Sequence, residues 1–148
     1  MTQTTSNSLT LPSLRSQGAD SARLGGASVL VIEDDLDARC GLQILLRANG
    51  LDVVSHGDGQ NAIAMIQKVK PDVIILDLGL PGLDGFEVLE RLESLRPQLK
   101  AKVIVLSAWD VVQNKQRALN SGARFFFQKP TSEVDLMLAI RTIVEELH

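Results

Sequence analysis

The feature that most constrains the fold of this chain is a regular alternation between short apolar runs and helical segments. The five apolar runs consist mainly of β-branched or aromatic residues and lie at 29–32, 53–54, 73–76, 103–106 and 125–127. Short runs of this kind, bounded by polar or turn residues, are typical of buried strands. Three of them are continuously apolar over four residues, which predicts parallel strands covered by helices on both faces. The second run is the weakest, and we expect it at an edge of the sheet.

The segments between these runs have helical periodicity and recognisable ends. We expect helices over about 36–49, 59–69, 84–97, 111–120 and 131–147. Asp35 or Asp37 is suited to cap the first helix, and Asp84 with Glu87 resembles a capping box at the start of the third. Five such units predict an α/β fold. The expected architecture is a doubly wound, five-stranded parallel sheet in the order 2-1-3-4-5, with five helices.

The first 27 residues differ in composition from the rest of the chain. Residues 1–27 are dominated by Ser, Thr, Gln and Gly, and their few leucines have no sustained period. Such a segment cannot bury enough apolar area to offset the entropy lost on ordering. We therefore expect a flexible leader over 1–27 and one folded domain over 28–148, whose length suits a single core.

Charge and cysteine content argue against several functional classes. The chain has 18 acidic and 15 basic residues, a net charge of -3, which argues against direct nucleic-acid binding. No apolar run approaches the roughly 20 residues that cross a bilayer, and the N-terminus lacks a signal-peptide pattern. The single cysteine, Cys40, is typical of a protein from a reducing compartment, and we expect it to be a small core residue. These features favour a cytoplasmic protein without membrane contact.

Polar residues follow the predicted strands at the edge where sheets of this kind bind ligands. The acidic triplet 33–35 follows the first strand, and Asp77, Ser107 and Lys129 follow the third, fourth and fifth. Each has an ordinary explanation by itself: a turn former, a helix cap, a hydroxyl bonded to nearby backbone, or a surface cation. In the order 2-1-3-4-5, however, the first and third strands are neighbours. We therefore expect their carboxylates to meet in one crevice, with a hydroxyl and an ammonium beside them.

Carboxylates brought this close together require a compensating cation. Like charges within a few ångströms raise each other's pKa and repel one another. Mg²⁺ suits such a site because it takes hard oxygen ligands and retains several waters. An acidic cluster with one Lys and one hydroxyl is suited to placing a metal-bound phosphoryl group on a carboxylate.

Four segments of the chain are similar to one known family. They are VLVIEDD (29–35), PDVIILDLGLPGLDGFEVL (71–89), VIVLSAWD (103–110) and GARFFFQKP (122–130). With these segments, residues 28–148 resemble the receiver domain of two-component response regulators, a fold shared with the chemotaxis regulator and with flavodoxin-like proteins. The resemblance covers the whole predicted folded region, and five separated chemical positions agree with it.

The resemblance implies specific roles at the acidic crevice. Asp77 is implied to be the phosphoacceptor, which forms an aspartyl phosphate. Asp34 is implied to bind Mg²⁺ directly and Glu33 to reach the ion through water. Asp77 and the backbone carbonyl of Gly79 are implied to complete the protein's metal-binding groups. Lys129 is implied to bind the phosphoryl group, before a Lys129–Pro130 peptide that is usually cis in the family.

Two further positions correspond to the family's conformational switch. Ser107 occupies the hydroxyl position that moves to the phosphoryl group, and Phe126 occupies the aromatic position that then turns inward. Simple core packing within the Phe-rich strand is the alternative for Phe126, which also lacks the hydroxyl of the common Tyr. In the family this switch alters the surface formed by the fourth helix, fifth strand and fifth helix.

The resemblance also implies partners and a mode of action. A sensor histidine kinase or phosphotransfer protein would supply the phosphoryl group, and a downstream protein would recognise the altered surface, with homodimer formation left open. The domain would be no enzyme beyond its own phosphorylation and dephosphorylation. Gly79 leaves the acceptor less covered, which predicts a short-lived phosphoryl group. Trp109 is either a lid over the site or an anchor for a partner.

Three other functions compete with this interpretation. A pseudo-receiver that only docks or dimerises generally lacks one of the acidic pair, the acceptor or the lysine, and all are present here. A phosphohydrolase that uses an aspartate nucleophile needs a second Asp two residues later, where this chain has Gly79. A flavodoxin-like FMN carrier needs a phosphate-binding loop after the first strand, where this chain has three acids.

Overall fold

The sequence-derived architecture is confirmed by the computed structural model, which describes residues 24–80, 84–108 and 112–147. Its five strands form one parallel sheet in the order β2-β1-β3-β4-β5. The strands are β1 Ser28–Ile32, β2 Asp52–His56, β3 Val73–Asp77, β4 Lys102–Ser107 and β5 Phe125–Gln128. The helices are α1 Leu36–Ala48, α2 Ala62–Val69, α3 Gly85–Ser94, α4 Val112–Asn120 and α5 Glu133–Glu146. The weakest apolar run, β2, lies at an edge as expected.

The sheet is covered on both faces, as the continuously apolar runs predicted. Alternate residues of each central strand enter opposite cores because successive side chains of a strand point to opposite faces. Leu30 packs in the core that contains α2 and α3 residues, and Val31 packs in the core that contains α1 and α5 residues. All five residues of β3 are buried. This burial fixes the height and register of the strand that carries Asp77.

The starts of α1 and α3 are capped by residues that the sequence predicted, and α5 has a further cap that was not predicted. The Asp35 carboxylate caps α1 by accepting from the Asp37 amide at 3.3 Å. Asp84 caps α3 through the Phe86 amide at 3.0 Å, and Ser132 caps α5. The cap on α1 matters for the site because Asp35 adjoins the acidic residues that follow β1.

Two expectations from the sequence are corrected in detail. Cys40 is exposed rather than a core residue, because it lies on one helical face with the exposed Leu36 and Ile44. Packing begins before Ser28, since Leu24 is only 3% exposed and contributes to the core beside α1 and α5. The remaining leader, residues 1–23, lies outside the described residues.

No helix in the described ranges is both long enough and apolar enough to span a membrane. This agrees with the absence of any long apolar run in the sequence.

Candidate functional site

The ends of β1 and β3 bring distant acidic residues together. In the parallel pairing of these strands, Ile32 is in register with Leu76. The next residues, Glu33 and Asp77, therefore stand side by side at the carboxyl edge of the sheet. Both are buried, with 2% and 8% of their surface exposed, whereas Asp34 is exposed. The crevice expected from the sequence is thus formed by strand pairing.

Lys129 lies between the two buried carboxylates. Its Nζ donates to Glu33 Oε1 at 2.5 Å and to Asp77 Oδ2 at 3.1 Å. The lysine follows β5, and its backbone amide donates to the carbonyl of Ser107 at 2.7 Å. The peptide between Lys129 and Pro130 is cis, as the resemblance implied. One ammonium therefore bridges acids from two different strands.

The local environment alters the proton affinities of this pair. Burial is the largest influence on Glu33 and raises the pKa of its carboxyl; Lys129 opposes this rise and Asp77 adds to it. Burial works against the charged form of Lys129, but its bonds to Glu33 and Asp77 prevail and raise the pKa of the ammonium. Lys129 therefore remains charged at neutral pH. For Glu33, burial disfavours the ionised form of the carboxyl, so keeping it ionised reduces the stability of the fold.

The acidic cluster has a donor set that fits a divalent cation. Glu33, Asp34 and Asp77 each offer a carboxylate oxygen, and these atoms lie within 4.8 Å of one another. Three carboxylates face one ammonium, so an excess of negative charge remains when all are ionised. Hard oxygen donors with solvent access on one side suit Mg²⁺, which retains several of its waters.

Gly79 contributes to the site through its backbone. Its amide donates to Asp77 Oδ1 at 2.8 Å, which fixes the orientation of the carboxylate. A Cβ added at Gly79 would lie 3.5 Å from the same oxygen, at ordinary contact distance. Gly79 is itself exposed, so no side chain at this position covers the buried Asp77 carboxylate.

The two expected switch residues lie on adjacent strands. Ser107 ends β4, is 1% exposed and is in register with Gln128 of β5. Phe126 is half-buried and packs against the core that contains α2 and α3 residues, whereas Phe125 and Phe127 stack on each other on the opposite face. Trp109 lies outside the described residues.

One contact of the site was missed by the sequence reasoning. Arg39 of α1 donates through Nη1 to the backbone carbonyl of Glu33 at 2.8 Å. The only signal in the sequence is an arginine six residues after Glu33, which by itself indicates a solvated helix face.

Comparison with known proteins identifies the family of this arrangement. Residues 29–141 match the model of the response regulator receiver domain. The chain belongs to this family. The match includes β1 from Val29 onward, the other four strands, all five helices at least in part, and each predicted site residue.

Curated relatives and solved structures agree with this membership. The chain is 34% identical over 119 residues to a putative transcriptional regulator of Pseudomonas aeruginosa, covering 80% of this chain and 56% of that protein. It is 33% identical to the probable transcriptional regulatory protein TcrX of Mycobacterium tuberculosis, over 79% of this chain and 49% of that protein. The receiver domain thus spans about half the length of these relatives.

Among solved structures, the receiver domain of the Francisella response regulator 1452 is similar with a TM-score of 0.76 and 30% identity. The alignment covers 83% of this chain and 100% of that one. The BeF3-activated receiver domain of Klebsiella pneumoniae RstA gives a TM-score of 0.73 at 26% identity, over 79% of this chain and 97% of that one.

Proposed function

We propose that this receiver domain accepts a phosphoryl group on Asp77 in a reaction that depends on Mg²⁺. The donor is a sensor histidine kinase, a phosphotransfer protein or a small acyl phosphate. One observation carries the proposal: carboxylates from β1 and β3 lie within 4.8 Å of one another, with the Lys129 ammonium bonded to two of them. A structural ion pair needs no third acid, whereas a phosphoryl-transfer site does need an excess of negative charge that a cation can occupy.

Each residue of the site has a chemical role in this proposal. An Asp77 oxygen attacks the phosphorus as the bond from phosphorus to the donor breaks, and the pair of electrons leaves with the donor. Lys129 would neutralise the phosphoryl oxygens. Asp34, Asp77 and the Gly79 carbonyl would hold the cation, with Glu33 reaching it through water. When bound, Mg²⁺ supplies positive charge to the oxygens of the transferred group. The bond from the Gly79 amide orients the attacking carboxylate.

The phosphoryl group would then change the packing around it. Phosphorylation adds roughly two negative charges at neutral pH. Ser107, at the end of β4, is the hydroxyl that would bind the phosphoryl group, and Phe126 is the aromatic side chain that would move with it. The population of one packing would rise, because only that packing makes the new contacts. The surface affected is formed by α4, β5 and α5.

The surface altered by phosphorylation would be recognised by a protein partner. The relatives that carry regulatory names are about twice as long as the matched region, so a transcriptional role belongs to those proteins as named. For this chain we propose a cytoplasmic module that a kinase loads and that a downstream protein or a second copy recognises. Direct contact with nucleic acid is not part of the proposal.

Incubation with Mg²⁺ and acetyl phosphate tests the proposed acceptor. We expect intact-mass analysis to show one added phosphoryl group, lost in Asp77→Asn and prevented by EDTA. Asp35→Asn is the matched control, because Asp35 adjoins the metal ligands but its carboxylate caps α1. Modification that persists in Asp77→Asn, or that disappears only in Asp35→Asn, would contradict the assignment.

A further inference from the structure

The turn that carries the acidic pair is fixed from several directions. The Glu33 amide donates to the carbonyl of His56 at 3.0 Å, which ties the turn to the end of β2. One residue after Asp34, the Asp35 carboxylate caps α1. Asp34 itself is exposed. The direction of its carboxylate therefore depends on how rigidly the backbone on both sides of it is held.

Arg39 closes this turn from the helix side. Its Nη1 donates to the Glu33 carbonyl, whereas the two oxygens of the Glu33 carboxylate accept from Lys129 and, at 3.4 Å, from the Asp35 amide. The guanidinium thus binds the backbone of the turn and leaves the carboxylates available to a cation. The Glu33 carbonyl is uncharged, so Arg39 does not neutralise an acid here. We infer that its hydrogen bond serves to hold the backbone of the turn in one orientation.

Gly57 provides the space in which the Arg39 side chain lies. A Cβ added at Gly57 would collide with Arg39 Nη1 and lie 3.1 Å from Cζ. The guanidinium therefore lies against the backbone just after β2, on the same strand end that accepts the Glu33 amide. Arg39 joins three segments: α1, the turn after β1 and the turn after β2.

We propose that Arg39 is a positioning residue for the cation site, acting through the Glu33 carbonyl to orient the turn that carries Asp34. This inference rests on the proposed function, since it presumes that the acidic cluster binds Mg²⁺. Residues that orient metal ligands typically change metal affinity about 10- to 100-fold when removed. Since Arg39 acts through backbone, we expect the lower end of that range.

The test is Mg²⁺ titration of the phosphodonor-free protein, followed by the amide NMR resonances of residues 33–37. We expect Arg39→Met to raise the Kd for Mg²⁺ about tenfold, with Arg39→Lys in between. Arg47→Met is the matched control, because Arg47 on the same helix binds the Val53 carbonyl at 3.2 Å, away from the site. Its Kd should remain within about twofold of wild type.

Gly57→Ala keeps the proposal testable if Arg39→Met folds poorly. The added methyl displaces the guanidinium while leaving Arg39 in the chain, so we expect a similar loss of affinity, with no further loss in the double variant. The rate of phosphorylation by acetyl phosphate separates a loss of Mg²⁺ affinity from a structural defect. Arg39→Met should approach the wild-type rate at saturating Mg²⁺. A general structural defect would instead lower the rate at all Mg²⁺ concentrations.

Two results would count against the inference in different ways. If wild type binds Mg²⁺ and is phosphorylated while Arg39→Met and Gly57→Ala retain its Kd within twofold, the role of Arg39 is wrong and the proposed function stands. If wild type shows no saturable response to Mg²⁺, the proposed function itself fails, and the role of Arg39 fails with it.

Discussion

The carboxylates at the two ends of the β1–β3 strand pair differ in their hydrogen-bond partners and in their charge balance. At the amino end, Asp72 accepts from the Ser28 amide at 2.9 Å and lies 3.5 Å from its hydroxyl, while its own amide donates to the Ser28 hydroxyl at 3.1 Å. At the carboxyl end, three carboxylates lie within 4.8 Å of one another, and the one ammonium beside them, that of Lys129, is paired with two of them. The Asp72 carboxylate therefore has neutral hydrogen-bond donors nearby, whereas the carboxylates at the other end carry more negative charge than Lys129 can balance.

Under the proposed function, this difference separates a structural carboxylate from carboxylates that bind a ligand. Asp72 stabilises the start of two strands and needs no further ligand. Glu33 and Asp77 are buried beside each other with one shared cation, an arrangement that costs stability unless something else binds. Proteins commonly tolerate such a cost at functional sites.

The largest difference between the two ends is expected in the free energy of unfolding when each carboxylate is replaced. Asp72→Ala removes the acceptor of the Ser28 amide, and we expect it to lower the free energy of unfolding by about 2 kcal/mol. Asp77→Asn in EDTA keeps an acceptor for the Gly79 amide and removes one like charge. We expect its free energy of unfolding to equal or exceed that of wild type. Urea unfolding of the three proteins measures both values.

The two substitutions should affect phosphorylation in the opposite order to their effects on stability. Asp72→Ala should accept a phosphoryl group as wild type does, and Asp77→Asn should accept none. An Asp77→Asn protein as destabilised as Asp72→Ala would show that both carboxylates are structural.

A smaller effect is expected from placing a side chain beside the proposed acceptor, Asp77. A side chain at Gly79 begins 3.5 Å from Asp77 Oδ1, so Gly79→Leu should hinder water and slow dephosphorylation about fivefold, which corresponds to roughly 1 kcal/mol of barrier. The decay of the added phosphoryl mass after removal of the donor measures the rate. Ala64→Leu is the control, since Ala64 is exposed on α2 and a Leu there adds similar apolar bulk away from the acidic cluster. A rate that is unchanged or faster in Gly79→Leu would refute this role.

The smallest effect is a difference in pH dependence between two glutamates. Burial raises the pKa of the Glu33 carboxyl, so its contribution to stability is largest below the ordinary value of 4.5 and declines as pH rises through the folded value. The bond from Arg124 lowers the pKa of the Glu146 carboxyl, so its contribution is present above 4.5 and is lost as pH falls through the folded value.

Unfolding experiments in EDTA check both signs. On acidification from neutral pH towards 4.5, wild type should gain stability relative to Glu33→Gln. Further acidification, below pH 4.5, should make it lose stability relative to Glu146→Gln. The same slope for both comparisons would show that the Glu33 carboxylate carries no energetic cost.

The sheet could be predicted from the sequence because its signals are local. Continuous apolar runs at 29–32 and 73–76 identify buried parallel strands, and their pairing places Glu33 beside Asp77. Capping residues such as Asp35 and Ser132 mark the helix starts for equally local reasons. The resemblance to the receiver family was read from segments that include these strands, and the family match over residues 29–141 confirms it.

Other features depend on contacts that no local pattern encodes. Leu24 joins the core as a single residue outside any periodic segment. Cys40 is exposed because Leu42, Leu45 and Leu46 form the buried side of α1 and position 40 lies off that stripe, although its period could be read from the sequence. The bond from Arg39 to the Glu33 carbonyl requires one rotamer of a long side chain, which becomes visible only when α1 is placed against the turn.

The most direct test of the acidic cluster is to identify the residue that receives the phosphoryl group. The protein is phosphorylated with acetyl phosphate and Mg²⁺, the acyl phosphate is reduced with borohydride, and the peptides are sequenced by mass spectrometry. We expect reduction only at Asp77. Modification at Asp34 or Asp72 instead, or no reduced residue in protein that binds Mg²⁺, would contradict the account.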